Sequence, residues 1–396
     1  MTSISKLLFG ADEPNDRLRY AEGAHCRPIV VWNVTPKCNL ACAHCYAAVR
    51  PAFANASSFT EATADKFARQ ALDSQLPTAE ANRVIDDLAA WKVPVLLFSG
   101  GEPFCREDIR ELAEYAKGKG LRVTFSTNGM LIDDETADWL ARLGTGYVGI
   151  SIDGTEAMHD GFRRKVGAYA ASVAAIRRLV ARGVKVGLRM TVTRLNAAAI
   201  PDVFRLMRDE GVPRLCIYHL VYTGRGEALA ANDLDPGERR TMLDAVIAET
   251  EKAFAEGRRI EVLTVDNHCD GPYVCMKRPS ERAMELLRLN GGNSSGEGIA
   301  CISWDGTVYP DQFWRSHPVG NVRERPFSEI WGDPPEGSLL WMLRRKKEFV
   351  KGRCRACRWL DVCGGNFRAR GEAATGDIWG EDPSCYLETN ETRSPK

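Results

Sequence analysis

The sequence predicts an α/β protein: a partial (β/α)6 barrel, TIM-like in chain order, followed by a smaller cysteine-rich C-terminal domain. Three observations predict it. Apolar runs of strand character alternate six times with stretches of helical periodicity, the pattern of a parallel sheet with crossover helices. Six units are too few to close an eight-stranded barrel. The residues with chemical character fall at the carboxyl ends of the strands, the rim where parallel α/β folds bind ligands.

VVWNVT (30–35) is the first strand and leads into Cys38, Cys42 and Cys45. A polar, alanine-rich connection follows at 50–78, with one short helix expected at 60–72. AEANRVIDDLAAW (79–91) has helical periodicity, and VPVLLFSGG (93–101) is a buried strand ending in glycines. Helix 106–117, strand RVTFSTNG, helix 134–143, strand YVGISIDG, helix 168–182, strand KVGLRMTVT, helix 199–210, strand RLCIYHLVY and helix 236–256 complete the series. Beyond about 260 the periodicity fades. GGNSSGEG (291–298) reads as a linker or binding loop, ISWDGTVYPDQF as a hairpin around an Asp-Gly turn, and 350–396 as loops rich in cysteine. The expected domains are an N-terminal extension at 1–27, the barrel at 28–259 and a C-terminal domain at 260–396.

Of 396 residues, 44% are apolar, and Lys+Arg and Asp+Glu both count 53. No overall charge argues for nucleic acid or a membrane surface as a partner. The N-terminal apolar run is too short for a signal-peptide core, and no stretch approaches membrane-spanning length, so a soluble cytoplasmic protein is expected. Thirteen cysteines, an odd number without an export signal, point to metal chemistry rather than a disulfide framework.

In CNLACAHCYA, Cys38, Cys42 and Cys45 stand four and three positions apart. Three thiolates on a [4Fe–4S] cube leave one iron open to an outside ligand. Zinc held by these cysteines and His44 is the competing reading. A second set, Cys354, Cys357, Cys363 and Cys385, has the four thiols that close a [4Fe–4S] cluster or a zinc ribbon. Cys301, at the start of the hairpin, and Cys26, Cys105, Cys216, Cys269 and Cys275 read as small buried residues.

The CxxxCxxC spacing with an aromatic after the last cysteine resembles the radical SAM superfamily. Gly100, Gly101, Glu102 and Pro103 (GGEP), Ser126 and Asn128 (STNG), and Ser151 and Asp153 (SIDG) end the following strands as they do in that family. The resemblance implies that S-adenosylmethionine chelates the open iron and that these residues bind the cosubstrate, with Glu102 on its ammonium group. It also implies that Arg163, twelve residues after Ser151, contacts the carboxylate. CRACRWLDVC with Cys385 resembles the SPASM auxiliary-cluster pattern and implies a SPASM- or twitch-like C-terminal domain. The pattern is short of a third cluster, because Asp311 and Phe367 or their neighbours stand where further ligands belong. Two [4Fe–4S] clusters are therefore expected.

RPIVVWNVTPKCNL, VLTVDNHCDGPYV, NSSGEGIACISWDG and KGRCRACRWLDVCGGNF are similar to the haem-biosynthesis branch of that superfamily. The implied reaction converts 12,18-didecarboxysirohaem to iron-coproporphyrin III. Hydrogen abstraction beside each acetate-bearing carbon is followed by loss of the carboxymethyl group, and a low-potential donor of flavodoxin or ferredoxin type supplies electrons. An iron tetrapyrrole calls for an apolar slot edged by Arg, His and Tyr. Tyr218, His219 and Tyr222 are the candidate catalytic residues, and Arg225, His268, Tyr273, Arg315 and His317 the candidate substrate contacts. The alternatives are the haem d1 branch acting on the same substrate, a SPASM maturase of peptides, and an iron–sulfur electron-transfer protein.

Overall fold

The structure, a computed structural model, describes residues 1–10, 16, 20, 27–47 and 70–393. Most of the helix expected at 60–72, and Cys26, lie outside the described residues. Strands β1 (Thr2–Ser3), β2 (Ile29–Asn33), β3 (Leu96–Ser99), β4 (Val123–Thr127), β5 (Val148–Ser151), β6 (Val186–Val192), β7 (Arg214–His219), β8 (Glu261–Val265), β9 (Ile299–Ile302), β10 (Thr307–Tyr309) and β11 (Gly320–Asn321) form one sheet. Its order is β1-β8-β7-β6-β5-β4-β3-β2-β9-β10-β11. From β2 to β8 each strand lies parallel to the next, and β9 adds parallel to the far side of β2. The order is linear, so the barrel stays open.

Helices Thr78–Ala90, Ile109–Gly118, Asp134–Arg142, Ala168–Ala181, Ile200–Asp209 and Pro236–Ala255 cross between the strands. Pro236 at the first helical position and a reciprocal Asp235–Glu238 capping box, with both bonds at 2.8 Å, start the longest of them. Among the elements that were not anticipated, three bear on the site. β8 is five buried residues, EVLTV, too short to show a period, and its residue Glu261 pairs with Arg214 of β7. β1 is a two-residue antiparallel edge on β8. Helix Glu156–Arg163 sits after β5 and carries Arg163 as its last residue.

Alternation along the strands divides the interior. Trp32, Phe98, Phe125, Ile150, Leu188 and Ile217 face the helices and are fully buried, each worth about 2 kcal/mol as an upper bound for area removed from water. The opposite face turns inward. Cys216, Tyr218, Leu263 and Val265 pack there against Phe313, Trp314, Leu343 and Phe367 from the C-terminal region. That region thus covers the barrel's open inner face.

Arg370 fixes it in place. Its Nε and Nη2 donate to the two Asp382 carboxylate oxygens at 2.8 Å, and the same guanidinium reaches Leu220 O (3.1 Å) and Asp266 O (2.7 Å) beyond β7 and β8. Both partners are fully buried, and all three nitrogens of the fork are engaged. Among the described residues no helix is long and apolar enough to cross a membrane.

Candidate active site

After β2 the chain runs through Thr35–Lys37 into the loop of Cys38, Cys42 and Cys45. The end of β3 is stitched to this run: Gly101 N–H donates to Thr35 O (2.8 Å) and Glu102 N–H to Lys37 O (2.7 Å). The approach explains the glycine pair. A Cβ on Gly101 would lie 2.2 Å from Lys37 O, and one on Gly100, at φ +143°, 2.7 Å from Thr35 O. On its other side the loop is held by Ala43 N–H on Phe162 O (2.8 Å), Arg225 N–H on Cys45 O (2.9 Å) and Arg225 Nε on Cys42 O (2.7 Å).

Charge surrounds these thiols. Arg163 Nη1 donates to Cys42 Sγ at 3.5 Å, and Nη2 lies 2.7 Å from Asp153 Oδ2, with both residues buried. Burial acts to raise the Asp153 pKa, but Arg163, with His44 and His159, overrides it and holds the carboxyl below its ordinary value. Burial lowers His44 to about 4. The His44 imidazole faces Asp153 (3.9 Å) and Phe162 rather than the thiols, so it does not complete a Cys3His zinc site. Among the described residues no group of three or more His, Cys, Asp or Glu forms a ready metal cage, though the thiols are neighbours: burial first, and then the nearby thiols, raise the pKa of Cys38 and Cys45. Three thiols with no fourth protein ligand beside them fit a cluster that keeps one iron for another molecule.

A pocket of about 140 Å³ opens beside the loop, walled by Cys38, Cys45, Glu102, Ser126, Asn128 and Ser151, with Gly100 and Gly101 at its floor. Glu102 takes Thr127 Oγ1–H (2.6 Å) and Asn128 N–H (2.8 Å) on its two oxygens. Burial nonetheless raises it to about 7, so the site favours a cation beside it. Asn128 Nδ2 donates to Asn39 Oδ1 (2.7 Å), tying β4 to the cysteine loop. Pro103 and Asp153 stand behind the wall rather than in it: Pro103 opens a buried turn, and Asp153 holds Arg163.

The second cysteine set lies in the tail. Cys354, Cys357, Cys363 and Cys385 perturb one another electrostatically, and Arg353 Nη2 on Cys385 O (2.7 Å) joins the two halves of the loop. Cys269 is buried as expected, yet it also contacts this set. A hydrogen bond from Cys269, aided by Arg353 and opposed by burial, lowers Cys385 to about 7. Cys301 is buried too, its Sγ accepting from Asn33 Nδ2 at 3.6 Å. Asp311 caps a turn, receiving the Phe313 and Trp314 N–H groups at 2.8 and 3.0 Å.

A larger cavity, about 730 Å³, adjoins the first pocket and shares Arg189, Tyr218 and Phe313 with it. It lies between the barrel's inner face and segments 288–299 and 344–348. His268 lines it, and Tyr218 lies at the junction with Arg189 over its ring (4.8 Å). His219 reaches the smaller pocket, with Nε2 2.9 Å from Asp270 Oδ2. The remaining candidates are engaged elsewhere in the scaffold. Tyr222 donates to Asp233 (2.7 Å), Tyr273 to Asp244 (3.0 Å), Arg225 holds the cysteine loop, Arg315 stacks on Trp304 (4.4 Å), and His317 bonds Glu372 (2.6 Å). None of these five lines either cavity. Sequence reasoning missed Arg189, Asp266, Arg288 and Arg345 in the cavity walls. Arg189 had a signal, as a charge inside the apolar run KVGLRMTVT; the others had none.

Residues 32–207 match the radical SAM superfamily, and residues 294–358 match an iron–sulfur cluster-binding domain, SPASM. The chain is 46% identical to the Fe-coproporphyrin III synthase of Methanosarcina barkeri, over 99% of this chain and 98% of that one. It is 40% identical to the pre-heme d1 synthase of Dinoroseobacter shibae, over 92% and 88%. Streptococcus suis SuiB, solved bound to S-adenosylmethionine, has a similar fold: TM-score 0.68 at 18% identity, over 91% of this chain and 78% of that one.

Proposed function

The chain belongs to the radical SAM superfamily of enzymes and carries its iron–sulfur SPASM domain, and from that premise we propose that it converts 12,18-didecarboxysirohaem to iron-coproporphyrin III by removing two acetate side chains. The observation that carries this reading is the 46% identity to a Fe-coproporphyrin III synthase along essentially the whole of both chains. The family brings a [4Fe–4S] cluster, S-adenosylmethionine and further iron–sulfur chemistry in the SPASM domain. Cys38, Cys42 and Cys45 would hold the first cluster, and Cys354, Cys357, Cys363 and Cys385 the second. Held there and reduced by a low-potential donor, the first cluster would supply the electron that cleaves the carbon–sulfur bond of S-adenosylmethionine, giving methionine and a 5′-deoxyadenosyl radical able to take hydrogen from an unactivated carbon.

This chain's own residues do the positioning. Glu102, pinned by Thr127 and Asn128, offers a desolvated carboxylate to the cosubstrate's ammonium group. Gly100 and Gly101 let that group approach the backbone. Ser126, Asn128 and Ser151 supply hydrogen bonds from adjacent strand ends. Arg163, oriented by Asp153, keeps one nitrogen on Cys42 and its Nε without a partner, a donor for the cosubstrate's carboxylate. Tyr218, which lines both pocket and cavity, would meet both cosubstrate and substrate.

The test is anaerobic turnover of the reconstituted protein with S-adenosylmethionine, reductant and 12,18-didecarboxysirohaem. Two successive acetate losses in the product mass spectrum are expected. Substrate deuterated at the carbons beside the acetates should yield deuterated 5′-deoxyadenosine, and unlabelled nucleoside would refute the abstraction step. The 40% identity to a pre-heme d1 synthase supports one other reading, and altered propionates with both acetates retained would select it.

A further inference from the structure

The larger cavity has the character of a site for a flat, apolar, multiply acidic ligand. Its volume of about 730 Å³ falls within the usual range for cofactor-sized ligands. Ile29, Val31, Leu97, Val265, Phe313 and Phe367 give it apolar walls. Among its charged side chains six are basic and four acidic. Several of the bases are already engaged: Lys346 pairs with Glu297 (3.0 Å) and Lys347 with Asp361 (3.1 Å), while Arg344 donates to backbone carbonyls. Arg288 and Arg345 form no ion pair among the described residues, and Arg345 only stacks on Trp341 (4.3 Å). They are cations with donors to spare for carboxylates.

Three histidines stand among the candidate residues, and their surroundings separate them. His317 is bonded to Glu372 and lies outside both cavities. His219 is anchored through Nε2 to Asp270 and lines the smaller pocket, not the larger cavity. His268 is 5% exposed and lines the large cavity, and its Nδ1 has no partner. The residue's hydrogen bond to Asn366 Oδ1 (2.6 Å) is made by the backbone N–H, leaving the imidazole uncommitted. A buried ring without a partner costs free energy unless something binds it. Around it the backbone is fixed rather than loose. Asn366 Nδ2 also donates to Asn267 Oδ1 (2.8 Å), and Asp266 and Asn366 both hold left-handed φ, at +65° and +62°.

Position supports the same assignment. At one end the cavity meets the pocket of the first cysteine loop, through Arg189, Tyr218 and Phe313. At the other, the glycine-rich loop in its wall rests on the second cysteine set: Asn293 N–H donates to Cys363 O (3.2 Å), and a Cβ on Gly292 would lie 2.2 Å from that oxygen. A ligand here lies between the two sets.

We propose that this cavity holds the iron tetrapyrrole, with His268 as the axial ligand of its iron and Arg288 and Arg345 receiving its carboxylates. The assignment rests on the functional reading above and adds to it the residue that meets the iron. The neutral imidazole that burial enforces on His268 suits a metal ligand.

The test uses the full-length reconstituted protein with ferric iron-coproporphyrin III as probe and no turnover. Double-resonance spectroscopy of the ferric iron in protein carrying ¹⁵N-histidine should show a histidine nitrogen coupling. That coupling should vanish in His268→Ala and return with added ¹⁵N-imidazole. Its absence in the unmutated protein, or its persistence in a folded His268→Ala, overturns the proposal; the first measurement needs no variant to fold. The Arg288→Ala/Arg345→Ala variant should bind the probe roughly tenfold more weakly, as expected for loss of charge-assisted bonds, and unchanged affinity removes the arginines from the site. A protein that cleaves S-adenosylmethionine yet binds no iron-coproporphyrin III would sink the functional reading itself. Binding without histidine coupling sinks the ligand assignment alone.

Discussion

The two cysteine sets of this protein differ in what surrounds them. Cys38, Cys42 and Cys45 stand at the mouth of a parallel sheet, with Arg163, Asp153, His44 and Glu102 packed close and a pocket alongside. Cys354, Cys357, Cys363 and Cys385 lie in loops held by carbonyl-directed arginines and backbone turns, with Cys269 as an added contact. The first set is one thiol short and ringed by groups that can orient a small charged molecule. The second has four thiols, Cys363 buried and the other three half-buried. A site that exchanges its ligand needs fixed charges at a rim, whereas a site that only stores or relays an electron needs enclosure.

The sharpest way to break the comparison is to remove one thiol from each set. Cys45→Ala should abolish 5′-deoxyadenosine formation and cost about four irons per chain, while Cys363→Ala should cost about the same iron yet retain S-adenosylmethionine cleavage. Iron analysis and nucleoside chromatography read both. Loss of cleavage in Cys363→Ala would erase the distinction.

Next in size is the buried ion pair. Arg163→Met strands Asp153 without its partner and should destabilise the unloaded protein by about 3 to 5 kcal/mol in denaturant titrations. Arg163→Met combined with Asp153→Asn should recover part of that loss. No recovery would mean that Arg163 acts through packing instead.

A pH dependence should follow from Glu102. Its carboxyl is raised to about 7 in the unloaded protein, so below that pH an ammonium ligand must displace a proton in order to bind. Affinity for S-adenosylmethionine should therefore climb by up to about tenfold per pH unit below 7 and level off above it. Glu102→Gln should bind more weakly and flatten the profile. Isothermal titration across pH 5.5 to 8.5 would show whether the slope stays in the variant, which would assign it elsewhere.

The smallest effects belong to the second region. Asn366→Ala removes two buried hydrogen bonds between the tail and the segment of His268 and should cost about 1 to 3 kcal/mol. Cys301→Ala should leave the iron content unchanged and shift stability by no more than about 1 kcal/mol. Loss of about four irons in Cys301→Ala would instead make it a ligand.

Sequence alone determined the strand–helix alternation and the placing of Cys38, Gly100, Ser126 and Ser151 at strand ends, because both are local: period, turn residues and strand direction are written within a few positions of each other. It also named both cysteine sets, since metal ligands cluster in sequence at characteristic spacings. Tertiary structure decided the rest. β8 escaped because five buried residues carry no period, and its pairing with β7 is what identifies it as a strand. Tyr222, Arg225, Tyr273, Arg315 and His317 had the right chemistry for a tetrapyrrole edge, but packing committed them to Asp233, the cysteine loop, Asp244, Trp304 and Glu372. Arg288, Arg345 and Asp266 reach the cavity from segments far apart in the chain. A side chain's type limits which partners it can take; which of them it meets is set by contacts between distant segments, and those exist only once the tail has closed over the barrel.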